Sequence, residues 1–365
     1  MVSKPIVPPW NDGTKNLVRD LATQMRRHQA VVFGTRGVQV DLGRARVERI
    51  YPAASGGFAP ALRDRAVVTA RLALGRGGHL WHFFFAPNPA SSRVAAWTSR
   101  GRRRATVQTV CSAPRPDADL GRVLFGDRVV VLSRHTERRL REGGVAEGVL
   151  RRIAPCVTPL APLDDEARAR VRQALGLPLD VPLVVYPGDL EFSSAAERVV
   201  RAHARLAPST DAWLVMACRP KTPAAHAREG ELRQLATSLR VERSMRWVGE
   251  VAGIHDLIGA ADVVSLPADD LYAKLDLPLV LLEAQSMGRA VIVSEAGAAV
   301  DLAEGGAARA VRPDVEAVAE ATRALIEDSA SRAALGAVAR EAVRTRHGPA
   351  AMAAAYEALY DELLE

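Results

Sequence analysis

Residues 265–302, SLPADDLYAKLDLPLVLLEAQSMGRAVIVSEAGAAVDL, hold the side chains best suited to chemistry in this 365-residue chain. Glu283 lies about one turn into a helix that the pattern opens at Pro278 and closes before Gly288, with proline at a first helical position and glycine just past the last. A carboxylate there can accept two hydrogen bonds from a diol such as that of ribose. The start of the helix, at Leu279, offers free N–H groups and the positive dipole end, a place for an anion such as a nucleotide diphosphate. Lys274 and Asp276, in the polar loop before the helix, and His135, after a separate strand, are the candidate catalytic groups. A second stretch, Asn11-Asp12-Gly13-Thr14-Lys15-Asn16, places a small residue and free N–H groups ahead of a helix, which permits close phosphate approach. Its plainer reading is a turn in which Asp12 or Thr14 caps the helix.

These groups need elements to hold them. Apolar runs predict strands at residues 5–9, 29–33, 79–85, 104–110 and 128–132, then at 182–186, 212–217, 245–248, 261–266, 290–294 and 308–311, with helical periodicity between them. Strands alternating with helices mean parallel, doubly wound sheets, an α/β fold. The Pro-rich residues 155–162 read as a stiff hinge, which gives domains at 1–162 and 163–349. A final helix, 350–365, carries Tyr356, Leu359, Tyr360 and Leu363 as anchors. Ligands of such sheets sit outside the carboxyl ends of the strands. That rule nominates the loops holding Gly13 to Lys15, Ser133 to His135, Gly188, Arg219 to Lys221, Gly249, residues 268–276, and Gly297 with Ala298.

Composition narrows the classes. With 48% hydrophobic residues the chain can bury two cores. Three scattered cysteines, Cys111, Cys156 and Cys218, fit a reducing cytoplasm and neither a disulfide scaffold nor a zinc site. The first residues have no apolar signal segment and no run is long enough to span a membrane. Residues 1–163 hold 27 basic and 11 acidic side chains, a surplus of 16, and the remainder has a deficit of 9, which together make the net +7. A basic first half could meet an anionic membrane surface, as could Arg93, Arg100, Arg102, Arg103 and Arg104 around Trp97; a solvated basic face is the plain alternative. No nucleic-acid-binding module accompanies the charge. Asp117-Ala118-Asp119 has the form of a metal motif, but its place before a short helix suits capping, so no metal ligand is assigned.

Leu266-Pro267, Leu277-Pro278-Leu279, Leu282-Glu283-Ala284, Gly288, Val291-Ile292 and Gly297 together resemble the donor-site motif of glycosyltransferase family 4, the group 1 glycosyltransferases. Ala260-Ala261-Asp262-Val263, Met245 to Gly249 and the loop at Gly13 fit the same family. The resemblance implies the GT-B fold: two Rossmann-like domains facing across a cleft, acceptor domain first and nucleotide-sugar domain second, with the terminal helix crossing back to the first. It implies transfer of a sugar, with retention and without a metal, from a UDP- or GDP-sugar to a glycan, lipid-linked or small-molecule acceptor, by a cytoplasmic or membrane-peripheral enzyme with no resident cofactor. Glu283 would hold the ribose. Gly13, Thr14, Lys15, Gly188, Arg219, Lys221, Gly249, Leu279, Gly297 and Ala298 would line the donor.

Four positions depart from the family. Leu275 stands where it has glutamate, Asp189 where it has a phosphate-clamping arginine, and Cys111 where it has histidine; Ser193 or Ser194 replaces its lysine. These changes support a second expectation, a GT-B-shaped accessory or binding subunit without catalysis.

Overall fold

The computed structural model describes residues 1–52, 61–74, 78–102, 104–251, 253–272 and 274–365. Arg103 of the basic cluster and Ala273 of the 268–276 loop lie outside the described residues. The chain divides into two compact units. One comprises Met1–Val157, Tyr272–Leu277 and His347–Glu365; the other comprises Thr158–Leu271 and Pro278–Arg346.

The first unit runs α1 (Gly13–Gln24), β1 (Val31–Thr35), β2 (Arg46–Tyr51), α2 (Leu62–Ala73), β3 (Leu80–Phe85), α3 (Pro89–Arg102), β4 (Ala105–Val110), α4 (Leu120–Val123), β5 (Arg128–Val131), α5 (Arg134–Glu142) and β6 (Leu150–Arg152). Strands β3-β4-β5-β6 form one parallel sheet and β1-β2 a parallel pair. The strand expected at residues 5–9 is absent, because Pro5, Pro8 and Pro9 have no N–H to give a ladder. The residues just before act as an extended tie instead. Val2 N–H donates to His82 O at 2.6 Å, Phe84 N–H to Val2 O at 2.8 Å, and Ile6 N–H to Phe33 O at 2.9 Å. β2 and β6 were not legible: β2 is a half-exposed edge strand rich in charge, and β6 is three residues long.

The chain re-enters this unit at its end. After the residues of the other unit, α13 (Pro349–Leu364) buries Met352, Tyr356, Leu359 and Tyr360. Tyr360 Oη lies 2.5 Å from His82 Nδ1, and Thr109 Oγ1 lies 2.7 Å from His82 Nε2 and 3.0 Å from Tyr356 Oη. Burial holds His82 well below its usual pKa, so it is a neutral core histidine. The Glu357 carboxylate accepts the backbone N–H groups of Arg26, Arg27 and His28 at 2.8, 2.5 and 3.1 Å. Burial works to raise its pKa, but those donors and Arg27 win and hold it below the usual range.

The second unit contains α6 (Asp165–Ala174), β7 (Leu183–Tyr186), α7 (Ala195–Leu206), β8 (Trp213–Ala217), α8 (Pro223–Ser238), β9 (Met245–Val248), α9 (Ile254–Ala260), β10 (Val263–Leu266), α10 (Leu279–Ser286), β11 (Ala290–Ser294), a 3-10 helix at Ala298–Gly306, β12 (Arg309–Val311), α11 (Val315–Glu327) and α12 (Ser329–Arg346). Its six-stranded parallel sheet has the order β12-β11-β10-β7-β8-β9. The strands fall within two residues of the expected positions, because the central ones, β7, β10 and β11, are mostly apolar runs buried throughout.

Two local devices hold this unit together. Asp262, at the foot of β10, accepts from Arg168, Arg172 and the Leu183 N–H, each at 2.8 Å, and so ties α6 to the sheet. Burial opposes its charge, yet the Leu183 N–H and the two arginines keep its pKa low. Helix α10 ends in a Schellman motif: Gly288 N–H donates to Gln285 O at 2.9 Å and Arg289 N–H to Ala284 O at 3.0 Å. The left-handed Gly288, at φ 69°, is also where α12 packs, since a Cβ on Gly336 would lie 2.1 Å from Gly288 O. Gly336→Ala should therefore destabilise the second unit by about 1–3 kcal/mol, seen as a lowered thermal transition. An unchanged transition would mean that the helices separate at little cost.

Candidate active site

The candidates in the first unit converge on the carboxyl ends of β4 and β5. Asp276 is 1% exposed. Its Oδ2 accepts from Ser133 Oγ at 2.6 Å and its Oδ1 from Thr136 Oγ1 at 2.7 Å, while its N–H donates to Cys111 O at 2.8 Å. Ser133 is the N-cap of α5 and accepts from Thr136 N–H. The carboxylate thus sits at the positive end of α5, where a negative charge is favoured. This corrects the expectation that Asp276 does chemistry: a buried group with both oxygens engaged holds the 272–277 segment to the unit. His135 is the second residue of α5, half-buried beside this cluster, and Lys274 is half-buried two residues before Asp276.

At the start of α1 the capping alternative is the one observed. Asp12 Oδ1 accepts from Thr14 N–H at 3.0 Å and Lys15 N–H at 3.2 Å, and Lys4 Nζ donates to its Oδ2 at 2.8 Å. Lys15 Nζ donates to Pro9 O and lies near the Trp10 ring. The N–H groups expected to face phosphate are engaged by the chain's own carboxylate. Gly13 has a packing role: a Cβ there would lie 3.4 Å from that of Leu275. The apolar side chain that stands in for a carboxylate therefore covers the glycine. Cys111 is buried, which pushes its thiol up to about 12; the Thr14 hydroxyl bonded to it works the other way without prevailing. It is a thiol and no nucleophile near neutral pH.

In the second unit the site residues gather where the order of the sheet reverses, between β7 and β10. That switch point is where open α/β sheets bind ligands. Helix α10 follows β10, its N-cap is Pro278, and no side chain caps it, so the first N–H groups stay available. Leu279 is 5% exposed and packs in the core, leaving its backbone for any ligand contact. The Glu283 carboxylate is half-buried with His255 Nε2 at 3.3 Å. Gly297 has φ 92°, and a Cβ there would lie 2.6 Å from Asp269 O, so only glycine lets the turn after β11 close on the loop after β10. Ala298 is buried at the start of the 3-10 helix.

The loop after β7 revises the reading of Asp189. A Cβ at Gly188 would collide with the Tyr186 ring at 2.2 Å, and Tyr186 Oη donates to Asp189 O at 2.8 Å. Asp189 Oδ1 accepts from the N–H groups of Glu191 and Phe192 at 3.1 and 2.7 Å. Its carboxylate is folded into its own turn and does not project as a repulsive charge. Arg219 pairs with Glu250 at 2.9 Å; with Lys221 and Gly249 it lies beyond β8 and β9, one and two strands from the switch point. Asp119, from the motif weighed as metal-binding, is the N-cap of α4 and pairs with Arg122 at 3.1 Å. Among the described residues, no cluster of three or more His, Cys, Asp or Glu side chains is set to hold a metal.

Sequence reasoning passed over Arg198. It lies on α7 and is 9% exposed; its Nη1 donates to Pro267 O at 2.6 Å, its Nη2 to Ser194 Oγ at 2.8 Å, and Asp269 Oδ2 lies 3.4 Å from Nη2. The signal was present. Ala195, Arg198, Val199, Ala202, His203 and Leu206 share the buried face of α7, and an arginine in that series calls for a reason.

These sheets and switch-point loops define a GT-B protein of two doubly wound units. Residues 181–328 match the family of glycosyl transferases group 1. The D-inositol 3-phosphate glycosyltransferase of Xylanimonas cellulosilytica is 31% identical over 197 residues, which cover 51% of this chain and 44% of that protein. A GDP-mannose-dependent monoacylated alpha-(1-6)-phosphatidylinositol monomannoside mannosyltransferase of Corynebacterium glutamicum is 27% identical over 226 residues, covering 59% and 56%. The chain thus spans about half the length of the curated relatives it matches. The crystal structure of Anabaena Alr3699/HepE in complex with UDP and glucose superposes over 98% of each chain with a TM-score of 0.78 at 18% identity, a likeness of fold. Over residues 181–328 the chain is thus similar to the group 1 glycosyltransferases, and over its whole length it shares their fold.

In this setting Asp276→Ala, which leaves two buried hydroxyls without their acceptor, should cost the first unit about 2–4 kcal/mol, read as an earlier thermal transition. A variant as stable as the parent would return Asp276 to the catalytic candidates.

Proposed function

We propose that this chain transfers a sugar from a nucleotide-sugar donor, UDP- or GDP-linked, to a glycan, lipid-linked or small-molecule acceptor, with retention of configuration and without a metal. The observation that carries the reading is the coincidence of the family match over 181–328 with the uncapped start of α10, Glu283 and the close Gly297 turn at one sheet edge. Preorganised N–H donors there suit the charge that grows on a leaving diphosphate. Glu283 holds the ribose, and Lys274 and His135 serve the transferring sugar. UDP in the Anabaena complex and GDP-mannose in the corynebacterial name fit this donor class. Calorimetry of UDP, GDP and their sugar conjugates tests it. The parent should bind one series, and Glu283→Ala should weaken it about 10- to 100-fold, the value of hydrogen bonds to a charged group. No binding by the parent would overturn the donor reading.

The rival is a GT-B-shaped accessory subunit. Leu275 over Gly13, the thiol of Cys111 and the self-capped α1 favour it. Nucleotide binding with neither transfer nor donor hydrolysis would decide for it.

The membrane expectation rests on α2 and α3, which pack together. Leu62, Leu74, Val94 and Trp97 are exposed among Arg63, Arg65, Arg93 and Arg100, with Trp97 at 71%. An aromatic side chain amid arginines suits an anionic lipid interface. The protein should sediment with phosphatidylglycerol vesicles and not with phosphatidylcholine alone, and Trp97→Ala should weaken this severalfold. Equal recovery with both would mark the patch as a solvated face.

A further inference from the structure

The switch point of the second sheet contains a cation that the donor reading above does not use. Arg198 reaches from α7 across the gap between β7 and β10: Ser194, which accepts one of its hydrogen bonds, follows β7, while Pro267 and Asp269 follow β10. We propose that Arg198 is a donor-phosphate residue, whose guanidinium takes a phosphate oxygen of an incoming nucleoside diphosphate in exchange for the Asp269 carboxylate. The inference rests on the nucleotide-sugar reading and supplies the phosphate cation that Asp189 and Ser194 do not.

Charge, geometry and freedom of movement lead to this assignment. A guanidinium 9% exposed is costly unless an anion accompanies it. Among the described residues, the carboxylate in ion-pair range is Asp269, at 3.4 Å, beyond the roughly 2.7–2.9 Å of a well-formed charge-assisted hydrogen bond. The Asp269 side chain is 40% exposed, so it can swing into water while its main chain stays packed against Gly297. The carbonyl of Pro267 and the hydroxyl of Ser194 keep the guanidinium aimed during that exchange. Neither N-cap residue of the helices that leave this point, Ser194 of α7 and Pro278 of α10, caps with its side chain; Ser194 spends its oxygen on Arg198, and the Ala195 N–H has only a long 3.4 Å bond to Ser193 Oγ. Their N–H groups and the guanidinium thus offer one diphosphate a common positive edge.

The test separates this role from mere support of the loop. UDP and GDP are titrated by calorimetry, and the matching nucleosides by ligand-observed NMR, against the parent, Asp269→Asn, Arg198→Lys and Arg198→Met, with thermal unfolding of each. Asp269→Asn removes the competing carboxylate and should tighten the diphosphate severalfold while leaving the nucleoside unchanged. Arg198→Met should weaken the diphosphate at least 10-fold with little effect on the nucleoside, and Arg198→Lys should keep part of the affinity. If Arg198→Met does not fold, Asp269→Asn and Arg198→Lys decide. Diphosphate binding that Asp269→Asn leaves unchanged or weakens, or equal losses of diphosphate and nucleoside in the arginine variants, would overturn the inference alone. A parent that binds no nucleoside diphosphate would remove the donor reading and this inference with it.

Discussion

Every strand pairing among the described residues is parallel, and most else follows from that constraint. A parallel strand cannot turn back on itself; each must leave by a crossover, usually a helix, and re-enter from the same end. The helices cover the six-stranded sheet, so its central strands are mostly apolar and buried throughout, as in Ala290–Ser294 and Val263–Leu266. All its strands then release their chains at one edge, where polar groups can stay polar. Gly188, Arg198, Glu283 and Gly297 all follow strands at that edge for this reason, although more than 100 residues separate Gly188 from Gly297 in the chain.

Around the candidate residues, the helix starts differ between the two units. In the first, the starts of α1 and α5 are occupied by Asp12 and Asp276. In the second, the starts of α7 and α10 at the switch point have no side-chain cap, although serine and threonine cap other helices well, as Thr222 does for α8. Leaving such groups unsatisfied costs stability, and a fold tolerates that cost where a ligand can recover it. The family match at residues 181–328 falls in the same unit, apart from Tyr272–Leu277.

The sequence made the fold legible to the extent that burial was two-sided. Strands of the second unit stood out as runs of Val, Ile and Leu, and α10 was bounded by Pro278 and Gly288, whose backbone roles are specific. Edge elements were hidden, since β2 alternates charge with apolar side chains and β6 is too short to show a period. The places of Glu283 and Gly297 in the fold were readable because they follow from a helix phase and a turn. Asp276 was misread because its partners, Ser133 and Thr136, lie about 140 residues away. Spacing cannot distinguish a carboxylate aimed at substrate from one buried against a distant helix. Arg198 was readable in principle as a charge on an apolar face, yet its partners at residues 267 and 269 become visible only in three dimensions.

The return of α13 to the first unit also bears on how the protein is made. The second unit needs nothing after Arg346, whereas the first draws on Tyr272–Leu277 and on His347–Glu365, whose Tyr360 and Glu357 hold the His82 network and the backbone of residues 26–28. On the ribosome, where the amino-terminal domain ordinarily folds first, the order is reversed. The unit synthesised first remains unfinished until residues 347–365 have left the exit tunnel, and its core stays open until then.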